Sequence, residues 1–157
     1  MEFNRIVVGL DPASTSGAPV FERALGMAAA GGGKHLLIAG CLEARTAAET
    51  EDRVGAIAGL DASTAQSAMR QQQDVALERA RAWAEGLARQ AQAQGVTTHT
   101  TVDLGPPGPL LCELARHWKA DLLVLGLTRR GPLVDRLLGS VTQYVVHHAP
   151  CSVLLVH

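Results

Sequence analysis

Five short apolar runs are spread along the chain. The three stretches that separate the first four runs carry apolar residues at helical spacing. Most of the runs lack polar alternation, which is typical of parallel strands buried on both faces. The predicted strands span residues 5–10, 35–41, 96–102, 122–125 and 152–156. The third is rich in threonine and alternates, so we expect it near a sheet edge. Strands that alternate with helices predict a three-layer α/β fold with right-handed crossovers.

Four helices are predicted between these strands, over 21–30, from about 61–63 to 94, from Pro109 onward, and over 140–148. Gly95 is suited to end the long second helix, and the glycines at 31–33 to end the first. Residues 43–61 are polar and show no sustained periodicity, so we expect a long excursion outside the sheet. The apolar faces expected to pack on the sheet are Phe21, Ala24, Leu25 and Ala28, then Met69, Ala76, Ala80, Trp83, Leu87 and Ala91, and finally Leu110, Leu111, Leu114 and Trp118.

Residues 121–142 form the most informative stretch, because a buried strand is followed by two glycine positions. Gly126, at the carboxyl end of the strand, lets the backbone approach a ligand closely. Gly139 and Ser140 place free backbone N–H groups and a hydroxyl at a helix start, which is an anion site. Ligands of open α/β sheets bind outside the carboxyl ends of strands, and Asp11 follows the first strand. The stretch therefore predicts a nucleotide-phosphate site, with Asp11 beside it if strands one and four adjoin.

The length and composition of the chain further restrict its domain organisation and the classes of function open to it. A chain of 157 residues, 47% of them hydrophobic, is most simply one domain over 1–157 with a substantial core. The net charge of −1 gives no electrostatic basis for binding nucleic acid or an acidic membrane surface. No apolar run reaches the length of a membrane span and no signal pattern opens the chain, so we expect a cytoplasmic protein. The three cysteines, Cys41, Cys112 and Cys151, are expected to be buried apolar fillers.

With Asp11, Gly126 and Gly139-Ser140 in place, the sequence resembles the universal stress proteins of the UspA family. The resemblance covers nearly the whole chain and is strongest over 6–11 and 120–156. It implies an adenine nucleotide alpha hydrolase-like α/β fold, a three-layer α/β/α open sheet whose five parallel strands run in the order 3-2-1-4-5. It also implies a homodimer paired through the strand at 152–156 and an unidentified protein partner.

The resemblance also implies a ligand. Family members that bind ATP have the motif G-x2-G-x9-G-[S/T], whose first and last glycines match Gly126 and Gly139. The middle glycine is replaced by Arg129, and the nearest later glycine is Gly131. The Arg129 side chain either fills the phosphate volume or clamps a phosphate through its guanidinium, and the sequence leaves both readings open.

Residue roles follow from the same resemblance. Asp11 is expected to accept hydrogen bonds from ribose hydroxyls, a role that suits an acceptor-only carboxylate. Leu10 and Cys41 match positions that line the adenine pocket. The expected phosphate contacts come from Gly126, Arg129, Gly139, Ser140, Val141 and Thr142, and the expected cofactor is ATP, with or without Mg²⁺.

No residue pattern indicates metal binding or catalysis. The six histidines are scattered, and His147 and His148 point about 100° apart on their helix, so surface or packing roles are favoured. Neither a nucleophile elbow nor a Walker lysine motif is present, and Asp103 and Asp135 have no evident catalytic partner. We expect no catalytic residue and at most slow ATP hydrolysis. The leading hypothesis is a nucleotide-dependent stress-response or regulatory protein; the alternative is a dimeric interaction protein of the same fold that binds no nucleotide.

Overall fold

The computed structural model describes residues 3–14, 17–30, 34–43, 62–127 and 139–157, and they form one sheet with helices on both faces. The predictions that fall on the glycines at 31–33, on most of the excursion at 43–61, and on Arg129, Gly131 and Asp135 lie outside these residues. The strands are β1 Arg5–Leu10, β2 His35–Leu42, β3 Thr97–Leu104, β4 Leu122–Gly126 and β5 Ser152–Val156. The helices are α1 Ala18–Ala29, α2 Ala62–Gln92, α3 Pro107–His117 and α4 Ser140–His148.

The sheet is wholly parallel, and its strand order is β3-β2-β1-β4-β5. Both the predicted α/β class and the predicted order 3-2-1-4-5 are confirmed. The winding direction reverses at β1, which pairs with β2 on one side and with β4 on the other. β3 is an edge strand, as its threonine alternation predicts, and β5 is the opposite edge.

Two apolar clusters fill the space between the sheet and its two helical layers. One contains buried residues of α1 and α2, such as Phe21 and Ala84, packed on the even-numbered residues of β1. The other joins the odd-numbered β1 residue Val7 to Leu111 of α3 and Val145 of α4. The four residues predicted for the inner face of α1 are all buried. The three layers therefore arise from strands that are apolar on both faces.

Two predicted helix starts were wrong by a few residues. α1 begins at Ala18 rather than at Phe21, and Pro19 lies in its first turn. α3 begins at Pro107 rather than at Pro109. Both shifts have one cause: the N–H groups of a first helical turn have no partner within the helix, so proline is tolerated there. Residues 107 and 108, which precede the predicted start, therefore already belong to the first turn of α3.

The long helix α2 packs on the sheet only through its carboxyl-terminal part. Buried alanines begin at Ala80 and continue to Ala91. From Gln66 to Arg79 every residue is exposed or half-buried, and the predicted core residue Ala76 is exposed. At about 1.5 Å per residue, 31 residues extend about 46 Å, which is far longer than an eight-residue strand. The helical period was predicted correctly, but the sheet ends before the helix does.

Asp121 fixes the start of β1 to the start of β4. Its Oδ2 accepts a hydrogen bond from the backbone N–H of Asn4 at 2.8 Å, and both carboxylate oxygens lie within 3.2 Å of the N–H of Arg5. The N–H of Asp121 in turn donates to the carbonyl of Arg5 at 3.0 Å. This reciprocal pairing sets the register of the two central strands at their amino ends.

Gly9 has the tightest surroundings among the described glycines. A Cβ placed there would lie 2.5 Å from Leu125 Cδ2 and 2.8 Å from Leu111 Cδ1. Any side chain at this position would therefore displace the Leu125 and Leu111 side chains. By contrast, a Cβ at Gly26, on the exposed face of α1, would meet nothing within 4 Å.

These surroundings predict opposite effects for two glycine-to-alanine substitutions. Gly9→Ala should lower the free energy of unfolding by about 1–3 kcal/mol because it overpacks the core. Gly26→Ala should leave it unchanged or raise it by up to about 1 kcal/mol, because alanine is the better helix former. Urea unfolding followed by circular dichroism measures both. Equal effects for the two variants would contradict this account of Gly9.

Candidate functional site

The residues predicted to bind a ligand on β1 and β4 lie side by side at the carboxyl edge of the sheet. Gly9 pairs with Leu125, so the next residues, Leu10 and Gly126, end their strands at the same level. On the other side Leu10 pairs with Gly40, so Asp11 follows β1 at the level where Cys41 continues β2. The register therefore brings Leu10, Asp11, Cys41 and Gly126 to one edge of three adjacent strands.

Asp11 holds the turn that leaves β1. Its Oδ1 accepts a hydrogen bond from the N–H of Ala13 at 2.8 Å, and its carbonyl accepts one from the N–H of Ser14 at 3.0 Å. The side chain is exposed. An ionised carboxylate has about four acceptor positions, so the turn and a ligand hydroxyl can use it at the same time. The turn-forming role thus accompanies the predicted ribose contact and does not replace it.

The turn after Asp11 lies across the end of β2. A Cβ at Gly40 would come 3.2 Å from Pro12 Cγ and 3.1 Å from Val102 Cγ2. The missing side chain at Gly40 therefore lets Pro12 lie directly on the end of β2.

Cys41 lies between two carboxylates. It is 9% exposed, and burial, followed by the charges of Asp103 and Asp11, raises the pKa of its thiol to about 11. The thiol is therefore neutral at physiological pH and presents an apolar surface, as predicted. The register agrees with these causes, because Asp103 pairs with Cys41 on one side and Asp11 follows β1 at the level of Cys41 on the other. Cys112 is buried as predicted, whereas Cys151 is only partly buried.

Gly126 has a packing role that the sequence did not indicate. A Cβ at this position would lie 3.0 Å from Cγ2 of Val20 in α1. The glycine therefore lets α1 approach the end of β4 closely, in addition to any close approach by a ligand. Nothing in the local sequence of β4 signals a contact with a helix more than a hundred residues away.

The start of α4 offers three backbone donors. Its first intrahelical bond runs from the N–H of Gln143 to the carbonyl of Gly139, so the N–H groups of Ser140, Val141 and Thr142 have no partner within the helix. α4 leads back to β5, which starts level with the start of β4, so the helix begins near the carboxyl edge. Ser140 is exposed, but the Thr142 side chain is 3% exposed. Thr142 therefore offers its backbone N–H toward that edge more readily than its hydroxyl.

Histidines and other aromatic residues meet away from this edge. The rings of His35 and His99 stack with their centroids 6.1 Å apart, and His99 meets Trp118 edge-on at 6.1 Å. The Arg5 guanidinium lies 4.7 Å from the centroid of the Trp118 ring. Within the described residues, no group of three or more His, Cys, Asp or Glu side chains is placed to hold a metal ion.

No helix among the described residues is long and apolar enough to cross a membrane. Sequence reasoning considered Asp103 only as a catalytic candidate without a partner, and it did not place Asp103 beside Cys41. The signal that could have found it is its position, because the carboxyl ends of neighbouring parallel strands share an edge.

Comparison with known sequences gives the family. A model of the universal stress protein family matches residues 2–157. The universal stress protein Sll1388 of Synechocystis sp. is 43% identical over 77 residues, which cover 49% of this chain and 50% of that protein. The universal stress protein MJ0531 of Methanocaldococcus jannaschii is 41% identical over 68 residues, 43% of this chain and 40% of that protein. In these alignments the chain spans about half the length of its relatives or less.

Solved structures resemble the chain over nearly its full length. A universal stress protein in complex with cAMP is 27% identical, with a TM-score of 0.67 over 100% of this chain and 99% of that one. The protein MJ0577 has a TM-score of 0.75 at 16% identity, covering 99% and 96% of the two chains, and shows the same fold. A universal stress protein family protein from Arabidopsis thaliana, solved with AMP bound, has a TM-score of 0.62 at 19% identity, over 98% and 90% of the two chains. With the family model matching almost every residue, the chain belongs to the universal stress protein family.

Proposed function

We propose that this protein binds an adenine nucleotide, ATP included, at the carboxyl edge of the sheet between β1 and β4. The observation that carries the proposal is the alignment of Asp11 with Cys41 and of Leu10 with Gly126 on three adjacent strands. Acceptor, apolar wall and close-approach glycine thus share one edge. The relative solved with cAMP, which covers the whole chain, supports an adenine nucleotide as the ligand.

Each residue in this proposal has a role that its chemistry permits. The Asp11 carboxylate accepts hydrogen bonds from ribose hydroxyls, and Cys41 covers the base with apolar surface on the α3 and α4 side of the sheet. Leu10 packs in the cluster on the opposite face, so its part in the pocket is limited to the end of β1. Gly126 lets the phosphates approach the backbone. The phosphate oxygens accept hydrogen bonds from the backbone N–H groups of 140–142, in the first turn of α4, which follows the N-cap residue Gly139. The exposed Ser140 hydroxyl adds a further donor. Arg129 and Mg²⁺ belong to the proposal only as the resemblance implies them.

The activity we propose is regulatory binding. Bound and free forms of the protein would present different surfaces to a protein partner in a stress response, because an occupied edge fixes the turn after β1 and the start of α4. ATP hydrolysis, where it occurs, is slow in this proposal. We place the protein in the cytoplasm.

We also propose a homodimer paired through β5. Among the described residues β5 bonds to β4 alone, and the N–H of Leu127 donates to the carbonyl of Val156. In a parallel ladder the carbonyl and N–H of one residue point to the same neighbour, so those of Val153 and Leu155 point to the open edge. An unpaired edge of this kind is a template for a second copy.

The nucleotide site predicts a specific effect of Asp11→Asn. The amide oxygen can still hold the turn through the N–H of Ala13, but the charge that strengthens the ribose hydrogen bonds is lost. Titration calorimetry should give submillimolar dissociation constants for ATP, AMP or cAMP with the native protein. Affinity should fall about tenfold in the variant.

Asp74→Asn is the matched control, because Asp74 is exposed on α2 and the substitution makes the same chemical change. It should leave affinity unchanged. No heat with native protein at millimolar nucleotide would overturn the proposal and favour the alternative, an interaction protein of this fold that binds no nucleotide.

The dimer predicts a mass of twice 16.5 kDa by light scattering at micromolar concentration. Val153→Pro removes an N–H that faces the open edge and leaves the β4 ladder intact, so it should produce a folded monomer. Circular dichroism would verify that the variant is folded. A native protein that is already monomeric would contradict the dimer.

A further inference from the structure

We propose that Asp103 reads the base of the bound nucleotide, with its carboxylate accepting a hydrogen bond from the 6-amino group of adenine. The carboxylate would thereby select adenine nucleotides over purines that carry oxygen at that position. This inference rests on the proposed nucleotide site. It adds to that site a specificity-determining residue on β3, a strand that contributes no ligand contact in the proposed function.

Asp103 lies on the same face of the sheet as the predicted base pocket. It pairs with Cys41 in the parallel ladder between β2 and β3, and residues paired in this way project to the same side. The Asp103 side chain is exposed, whereas Cys41 is buried. Asp103 therefore forms the open rim of the surface on which Cys41 forms the wall.

The order of groups along the edge matches the order of parts in a nucleotide. From β4 to β3 the edge presents Gly126, then Asp11, then Cys41, then Asp103. If phosphates occupy the Gly126 end and the ribose contacts Asp11, the base extends over Cys41 toward Asp103. Two strand spacings, about 10 Å, separate the position after β1 from β3, a span comparable to a ribose joined to a purine.

A hydrogen bond within β3 holds the Asp103 carboxylate in a defined orientation. The Thr101 hydroxyl donates to Asp103 Oδ2 at 2.9 Å. Oδ1 is then the oxygen left for a ligand donor, since no other hydrogen bond to Asp103 is made within the described ranges. A carboxylate only accepts, so it favours an amino group and repels a keto oxygen at the same place.

The neighbouring thiol makes this selection sharper. Cys41 is neutral because burial and the two carboxylates raise its pKa to about 11. It therefore neither competes as an anion nor neutralises Asp103. Among the described residues, Asp103 is the carboxylate on the β3 side of Cys41, and Asp11 is the carboxylate on the β1 side.

The test compares three nucleotides: AMP, with an amino group at the 6-position; purine riboside 5′-monophosphate, with hydrogen there; and IMP, with a keto oxygen there and a proton on N1. Titration calorimetry with native protein should show AMP bound about tenfold more tightly than either of the others. In Asp103→Asn, Thr101 can hold the amide oxygen while the amide N–H2 faces the ligand. The variant should lose the preference for AMP and bind IMP at least as tightly. Asp74→Asn is the control and should keep the native order.

The outcomes separate this inference from the proposed function. If native protein binds none of the three nucleotides, the nucleotide site itself fails. If it binds all three equally, or binds IMP best, the site stands and the role of Asp103 is wrong. A uniform gain in affinity for all three nucleotides in Asp103→Asn would show only long-range repulsion and would also overturn the role.

A second measurement tests the position of Asp103 without any nucleotide. Because the Asp103 charge raises the pKa of Cys41, Asp103→Asn should lower that pKa and speed alkylation of Cys41 by iodoacetamide above pH 8. Peptide mass mapping distinguishes Cys41 from Cys112 and Cys151, whose rates should not change. An unchanged pH profile for Cys41 would place Asp103 away from the pocket wall and overturn the inference.

Discussion

The double pairing of β1 is the constraint on which the rest of this structure depends. β1 bonds to β2 and to β4, and the winding direction reverses on either side of it. Asp121 ties its first residues to β4, and the absence of a side chain at Gly9 lets Leu125 and Leu111 close over its middle. With start and middle fixed, the end of β1 has one possible level. Asp11 therefore follows β1 at the level of Cys41, and Leu10 ends β1 at the level of Gly126, independently of the conformation of the loops.

Most of the fold was predictable because the strands are apolar on both faces and the helices have regular apolar stripes. The bounds of β1, β5 and α4 were predicted without error. The starts of α1 and α3 were not, because proline in a first turn looks like a helix breaker in a sequence although the turn tolerates it. Ala76 failed for another reason: periodicity reports which face of a helix is apolar, but not where the sheet beneath it ends.

The candidate site was predictable in part. Asp11 and Gly126 stand out as polar or glycine residues that end buried strands, Gly139 and Ser140 stand out as a helix start, and the resemblance supplied Leu10 and Cys41. The contact of Val20 with the Gly126 position and the neighbourhood of Asp103 were not predictable, because both depend on residues distant in sequence that only the register brings together. Thr142 shows a further limit of sequence-based prediction. Its position in the motif places it in the first turn of α4, but the motif does not reveal that its side chain is buried.

The amino-terminal part of α2, before Ala80, contains no buried residue among those described, so we expect it to unfold less cooperatively with the sheet than the part that follows. Before Ala80 the half-buried Leu77 packs against the core, and the rest of the helix is held by local terms. These are good helix-forming residues and exposed pairs such as Arg81 with Glu78 at its boundary, which contribute a few tenths of a kcal/mol. Amide hydrogens there can exchange through fraying that leaves the sheet intact. Both tryptophans, Trp83 and Trp118, pack against the apolar clusters. Helical circular dichroism and tryptophan fluorescence would therefore follow different parts of the chain as it melts, and their midpoints need not coincide.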